Sequence, residues 1–185
     1  MAFISCNNGD LSKTFITEAE IIDRFVGNQL WLWGNNSPGT LGDNSTINKS
    51  TPVQTVSQGN NWEQTASGDG YNATIKTDGT LWLWGTNIRG QLGNNAGTPV
   101  SSPVQTVSTG TNWKQVSLGC YTTAAIKTDG TLWLWGEYSQ GELGTNSTAL
   151  SQQSPVQTIT QGNNWKQVSN SGGSSVAAIK TDGTL

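Results

Sequence analysis

Ile75-Lys76-Thr77-Asp78-Gly79-Thr80-Leu81-Trp82-Leu83-Trp84-Gly85 is the stretch that decides the fold. At its centre Asp-Gly stands between two apolar runs of β-type residues, a strong signal for a short hairpin. Before the turn, Ala73-Thr74-Ile75-Lys76 reads as a strand. After it, Leu-Trp-Leu-Trp alternates with period two, so both Trp share one face and both Leu the other. Both faces are apolar, which predicts a strand central in its sheet and covered on both sides.

The same stretch recurs. Leu-Trp-Leu-Trp-Gly stands at 30–34, 81–85 and 132–136, spaced by 51 residues each time. The strand-turn segment before it stands at 75–81, 126–132 and 179–185. Three further blocks keep the same order: Gly39-Thr40-Leu41-Gly42, Thr51-Pro52-Val53-Gln54-Thr55 and Asn61-Trp62, each with two later copies. Such self-similarity marks a repeat architecture. The glycine pair permits positive φ and a tight turn that tucks one Leu inward. Proline belongs at a strand start or a sheet edge. The polar segment 43–50 is a surface loop that carries the length changes. Counted from Leu30, the units are 30–80, 81–131 and 132–185. All nine Trp belong to them, three per unit: Trp31, Trp33, Trp62, Trp82, Trp84, Trp113, Trp133, Trp135 and Trp165. Their fixed repeat positions assign them to the structural core and not to sugar stacking.

Composition agrees with an all-β chain. Of 185 residues, 33% are hydrophobic, 11% charged and 23 are Gly. Low charge with many aromatics argues against disorder. Histidine is absent, which removes His-based acid–base chemistry, His metal sites and His-activated nucleophiles. A net charge of −3, with the basic residues scattered singly, excludes binding to nucleic acid through phosphates. Nothing approaches the ~20 apolar residues of a membrane span, and the first residues lack the charged start and apolar core of a secretory signal. Cys6 and Cys120 are read as two thiols of a reducing compartment.

The pattern Trp-x-x-Val-Ser-x-Gly, then Ala-x-x-x-Asp-Gly-x-Leu-Trp-x-Trp-Gly, then Gly-x-Leu-Gly resembles the repeat of the regulator of chromosome condensation family. The resemblance covers 30–185. It implies four-stranded β-propeller blades of about 52 residues, about seven in a complete ring. Three repeats do not close a propeller. The expectation is therefore a partial or shared ring: a piece of a longer chain, a ring shared between copies, or an open arc whose edges a partner covers. An uncovered edge with so many apolar residues would be adhesive.

Residues 1–29 differ. They carry no Trp. Thr17-Glu18-Ala19-Glu20 fits a capping box, with Ile16 and Ile21 placed as a staple. Ile21, Ile22, Phe25 and Val26 form one apolar face, and Gly27 is a stop signal. A short helix over 18–26 is expected. Ile16, Ile21, Ile22, Phe25 and Val26 are its docking residues, toward either the propeller or a larger assembly. The arm, with Phe25-Val26-Gly27-Asn28-Gln29-Leu30-Trp31 running straight into the repeats, resembles the opening of repeat-bearing virion structural proteins of marine tailed bacteriophages.

No catalytic set emerges. Asp78-Gly79, Asp129-Gly130 and Asp182-Gly183 repeat at one position, so symmetry spreads them around a ring, and they are turn residues. Lys76, Lys127 and Lys180 also repeat, and are expected to make weak cross-turn ion pairs. No phosphate loop, dinucleotide fingerprint or metal spacing occurs. Asn-x-Ser/Thr at Asn44, Asn72 and Asn146 reflects composition. The chain is thus expected to be a non-enzymatic structural or interaction protein without cofactor or metal. A virion component comes first, with other virion proteins, further copies of itself or a host-surface receptor as partners. An alternative is a cytoplasmic propeller regulator, acting in guanine-nucleotide exchange or as a scaffold. Neither needs nucleic acid or membrane insertion.

Overall fold

The computed structural model describes residues 27–181 apart from 58, 109, 138, 147–149, 161 and 172–174. The helix expected over 18–26, its docking residues Ile16, Ile21, Ile22, Phe25 and Val26, and Cys6, Asp182 and Gly183 lie outside them.

The described residues are all-β, with twelve strands. β1 (Trp31–Gly34) and β2 (Lys49–Gln54) pair as a two-stranded sheet. β3 (Trp62–Ser67), β4 (Tyr71–Lys76), β5 (Leu81–Gly85) and β6 (Val100–Gln105) form a four-stranded sheet in chain order. β7 (Trp113–Leu118), β8 (Thr122–Lys127), β9 (Leu132–Glu137) and β10 (Ser151–Gln157) repeat it. β11 (Trp165–Ser171) and β12 (Ser175–Lys180) are again a pair. All neighbours are antiparallel. These are propeller blades, two complete and two half.

The Asp-Gly hairpin sets the register inside a blade: Ile75 faces Leu81 and Ala73 faces Leu83. Proline falls where a missing N–H matters least. Pro103 lies in edge strand β6, within the stretch between the Leu83–Val104 and Gly85–Val100 pairs where the register shifts. The sheets also cut across the sequence units. β3 and β4 precede Leu81, and β5 and β6 follow it, so each complete blade joins the end of one unit to the start of the next.

Blades stack through their faces. Ile75, Leu81 and Leu83 of the first complete blade cluster with Trp113, Val116, Leu118 and Trp135 of the second. Full burial of each such side chain contributes about 1.5–3 kcal/mol. Glutamine side chains stitch the blades polar group by polar group. Gln64 donates to the Val116 carbonyl at 3.3 Å and accepts from its N–H at 3.1 Å. Gln115 repeats both bonds on Val168, at 3.0 and 3.1 Å. Tyr71 donates its phenol to the Thr122 carbonyl at 2.8 Å, and burial pushes that phenol well above its ordinary pKa.

The tryptophans do not share one environment. Trp62, Trp84, Trp113 and Trp135 are core residues as expected, and Trp82, Trp133 and Trp165 are partly buried. Trp31 and Trp33 depart from the core expectation, being 48% and 63% exposed. The cause is positional. β5 and β9 lie between two strands of their blade, whereas among the described residues β1 is paired with β2 alone. The mirror image holds at the other end. β4 and β8 are buried along five residues in a row, while their counterpart β12, paired among the described residues with β11 alone, alternates exposed and half-buried.

Candidate interaction surface

The recurring Thr-Asp-Gly-Thr turn forms one end of every complete blade. Gly79 has φ +76°, in the left-handed region that favours glycine. Asp78 accepts two bonds from Thr80, 2.9 Å from its N–H and 2.6 Å from its hydroxyl. These bonds hold the carboxyl below its ordinary value. The Thr80 hydroxyl in turn accepts from Trp82 Nε1 at 2.8 Å. Asp129, Thr131 and Trp133 repeat the chain of bonds. The carboxylates are thus occupied in shaping turns, one per blade.

Lysine does something the sequence did not suggest. Besides a weak coulombic pull on the Asp78 carboxylate across the turn, Lys76 Nζ lies 4.6 Å from the ring centroids of both Trp62 and Trp82. Lys127 lies 4.8 Å from Trp113 and 4.6 Å from Trp133. The two rings come from strands on either side of the lysine's own strand, so pairing itself builds the sandwich. Lys76→Met keeps the aliphatic stem and removes the cation. It is expected to cost about 1–2 kcal/mol, read by denaturant unfolding; a change within a few tenths of a kcal/mol would mean the rings give the ammonium nothing beyond packing.

At this same end runs a row of apolar side chains. Val56, Val107 and Ile159 hold equivalent positions just after β2, β6 and β10, and are 48%, 46% and 60% exposed. Thr106 N–H bonds the carbonyl of Leu81, the residue that begins β5 after the turn, which fixes Val107 at the turn end. The backbone N–H groups of Val56, Val107 and Ile159 donate to the carbonyls of Gly42, Gly93 and Gly144 at 2.9, 2.9 and 3.0 Å. The row is therefore held on rigid backbone, one residue per blade. Val56, Val107 and Ile159 are thus exposed apolar residues repeated at one position on a fixed frame, a candidate surface for contact.

Two residues that hold this frame escaped the sequence reading. Asn36 and Asn87 are fully buried. Asn87 Oδ1 accepts from the Leu92 N–H at 3.0 Å, and its Nδ2 donates to Asn94 and to the Ala96 carbonyl. Asn36 does the same for Leu41 and the loop at Asp43, Ser45 and Ile47. Their signal is an Asn two residues after Trp-Gly, present in two units out of three. Among the described residues no group of three or more His, Cys, Asp or Glu is placed to hold a metal, and no helix is long and apolar enough to cross a membrane.

With this geometry, comparison with known proteins becomes specific. The family model described as the regulator of chromosome condensation (RCC1) repeat matches residues 28–75 and 78–126, just over half of the chain. The X-linked retinitis pigmentosa GTPase regulator of Canis lupus familiaris is 31% identical over 147 residues, 77% of this chain and 14% of that protein. The ultraviolet-B receptor UVR8 of Arabidopsis thaliana is 31% identical over 129 residues, 67% of this chain and 29% of the receptor. The RCC2 homolog of Xenopus laevis is 30% identical, over 66% of this chain and 24% of that protein. The chain thus spans less than a third of each of these relatives. Among solved structures, human WBSCR16 superposes with a TM-score of 0.71 at 21% identity, over 84% of this chain and 41% of the other. Yeast RCC1 (Prp20), solved bound to Kap60, also gives 0.71, at 19% identity over 84% and 38%. These structural likenesses establish the propeller fold.

Proposed function

This chain belongs to the regulator of chromosome condensation repeat family, and from that premise we propose that it is a protein-binding propeller segment. It acts as a scaffold or regulator by recognising another protein, without catalysis of its own. The row Val56, Val107 and Ile159 at the turn end of the blades carries the proposal. Its spacing by blade suits an extended segment of a partner laid across successive blades, with each apolar side chain meeting one contact.

The relatives point the same way. One is named for regulating a GTPase, and another was solved bound to a second protein. Exchange on a GTPase is the narrower form of this reading, and a cytoplasmic location goes with it. The bacteriophage virion role expected from the N-terminal arm draws no support from the animal, plant and yeast proteins named above, and residues 1–26 of that arm fall outside those described.

A photo-crosslinking residue placed at Val107 in the source cell tests the proposal. Ile88 is the control: it is 59% exposed and lies just beyond Gly85, at the opposite end of the blade. A discrete protein adduct is expected from position 107, absent from position 88, and lost when Val56 and Ile159 are changed to Asp. No adduct from 107, or the same adduct from 88, would overturn it.

A further inference from the structure

β3, β7 and β11 carry the same irregularity at the same place. Trp62 pairs with Lys76 but Gln64 with Ile75, so Glu63 is an extra residue outside the ladder. Lys114, between Trp113 and Gln115, and Lys166, between Trp165 and Gln167, are extra in the same way. A bulge of this kind turns the added side chain out of the paired surface, and bulges recur beside functional sites, where they re-aim a side chain. All three bulged side chains are exposed.

The three bulges meet at one space. β3 packs beside β7 and β7 beside β11. A pocket of about 350 Å³ opens among them, lined mainly by Glu63, Gln64, Lys114, Gln115, Lys166 and Gln167. That volume lies in the range of about 300–1,000 Å³ of small-ligand sites. Its walls are rich in donors. Gln64 and Gln115 each give one amide hydrogen to a carbonyl of the following blade and accept an N–H from it. The second hydrogen on each Nε2 takes no part in these bonds, and it sits on a group that they hold still.

The lysines point the same way independently. Among the described residues every other cation has a partner. Lys49 lies 3.5 Å from Asp43 and Arg89 3.5 Å from Glu137. Lys76, Lys127 and Lys180 lie over tryptophan rings. Lys114 and Lys166 make no ion pair or ring contact among these residues. In a chain of net charge −3, the two unpaired ammoniums thus line one pocket from neighbouring blades, and the blade before them sets a carboxylate at the same position.

We propose that this pocket binds a small anion with two acidic groups, one for each ammonium. Lys114 and Lys166 supply the charge, and the remaining amide hydrogens of Gln64 and Gln115 supply direction. Glu63 repels the anion and so confines it to the side of β7 and β11. An ammonium is a point charge without a fork that favours one acid geometry, so carboxylates and phosphates share this chemistry.

Calorimetric titration of the full 185-residue chain with citrate, and separately with pyrophosphate, tests this and tells the two acids apart. Low salt is used, where exposed charges are screened least. One molecule per chain is expected to bind. Lys114→Gln and Lys166→Gln should each weaken binding about fivefold, the upper worth of one exposed ion pair. Glu63→Gln should tighten it by a similar factor. Arg89→Gln removes the same charge at the opposite end of the blades and should leave binding unchanged. All four changes fall on exposed side chains, so each variant should unfold at the wild-type midpoint. No binding of either acid would overturn the proposal. So would lysine variants that bind like the wild type, weaker binding by Glu63→Gln, or an equal loss in Arg89→Gln, which would mean attraction by overall charge. A lysine variant that lowers the midpoint would make the bulge a structural device and overturn it too. The titration reads the pocket whether or not the row at Val107 meets a partner.

Discussion

Replacing Trp84 by alanine is expected to cost about 3–5 kcal/mol of folding free energy, the largest single-residue effect among the tryptophans of the first complete blade. Trp84 is fully buried, and its indole N–H bonds the Thr40 carbonyl of the preceding blade at 2.8 Å. Alanine empties an indole-sized volume between two blades that are each held by their own sheet, so the gap cannot collapse. It also strands the Thr40 carbonyl, save for its bond from Asn72 Nδ2. Trp82, two residues earlier on the same face, gives the contrast. It is partly buried, and its partners are Thr80 and Lys76. Trp82→Ala should cost roughly half as much, since solvent already reaches the ring and less apolar surface is lost. Denaturant unfolding of the two variants at equal protein concentration decides it. A smaller loss for Trp84 than for Trp82 would mean that blade-to-blade docking contributes less than packing within a blade.

Gly79→Ala is expected to cost about 2–4 kcal/mol, far more than a methyl group on an exposed turn ordinarily does. The backbone at Gly79 has φ +76°, which an L side chain adopts only with strain. A Cβ there would lie 2.2 Å from the Thr111 carbonyl oxygen of the next blade, and backbone cannot rotate aside as a side chain would. The turn's own carbonyl accepts the Trp113 N–H at 3.0 Å, so moving it loosens the start of β7. The check is the unfolding midpoint of Gly79→Ala beside Asp78→Ala. Asp78→Ala keeps the backbone free and loses only the two bonds from Thr80, so it should fall well short of the glycine change. Equal losses would mean that the turn is shaped by its carboxylate and not by its approach to the next blade.

Much of the fold is written locally. The Asp78-Gly79 turn, the alternation of Leu81 to Trp84 and the edge proline at Pro103 are each set by residues within a few positions of one another, and short-range chemistry suffices to read them. The inward Leu of each glycine turn was equally legible: Leu41, Leu92 and Leu143 are all buried. The exposed apolar row was not, because Val56, Val107 and Ile159 look like the end of an apolar strand until the backbone places them beyond the sheet. Asn36 and Asn87 look like loop residues until their burial shows them organising the loop.

The sequence by itself determined which segments are strands, where they turn and that they repeat, since these follow from side-chain period and from the φ values that glycine and proline allow. Only the tertiary structure decided which strands share a sheet, because a blade takes two strands from each of two successive repeats. Burial followed from that choice: identical Leu-Trp-Leu-Trp strands have Trp84 and Trp135 enclosed and Trp33 open to solvent. A side chain's burial is set by the strand and blade beside it, and its own residues do not say whether that neighbour is there.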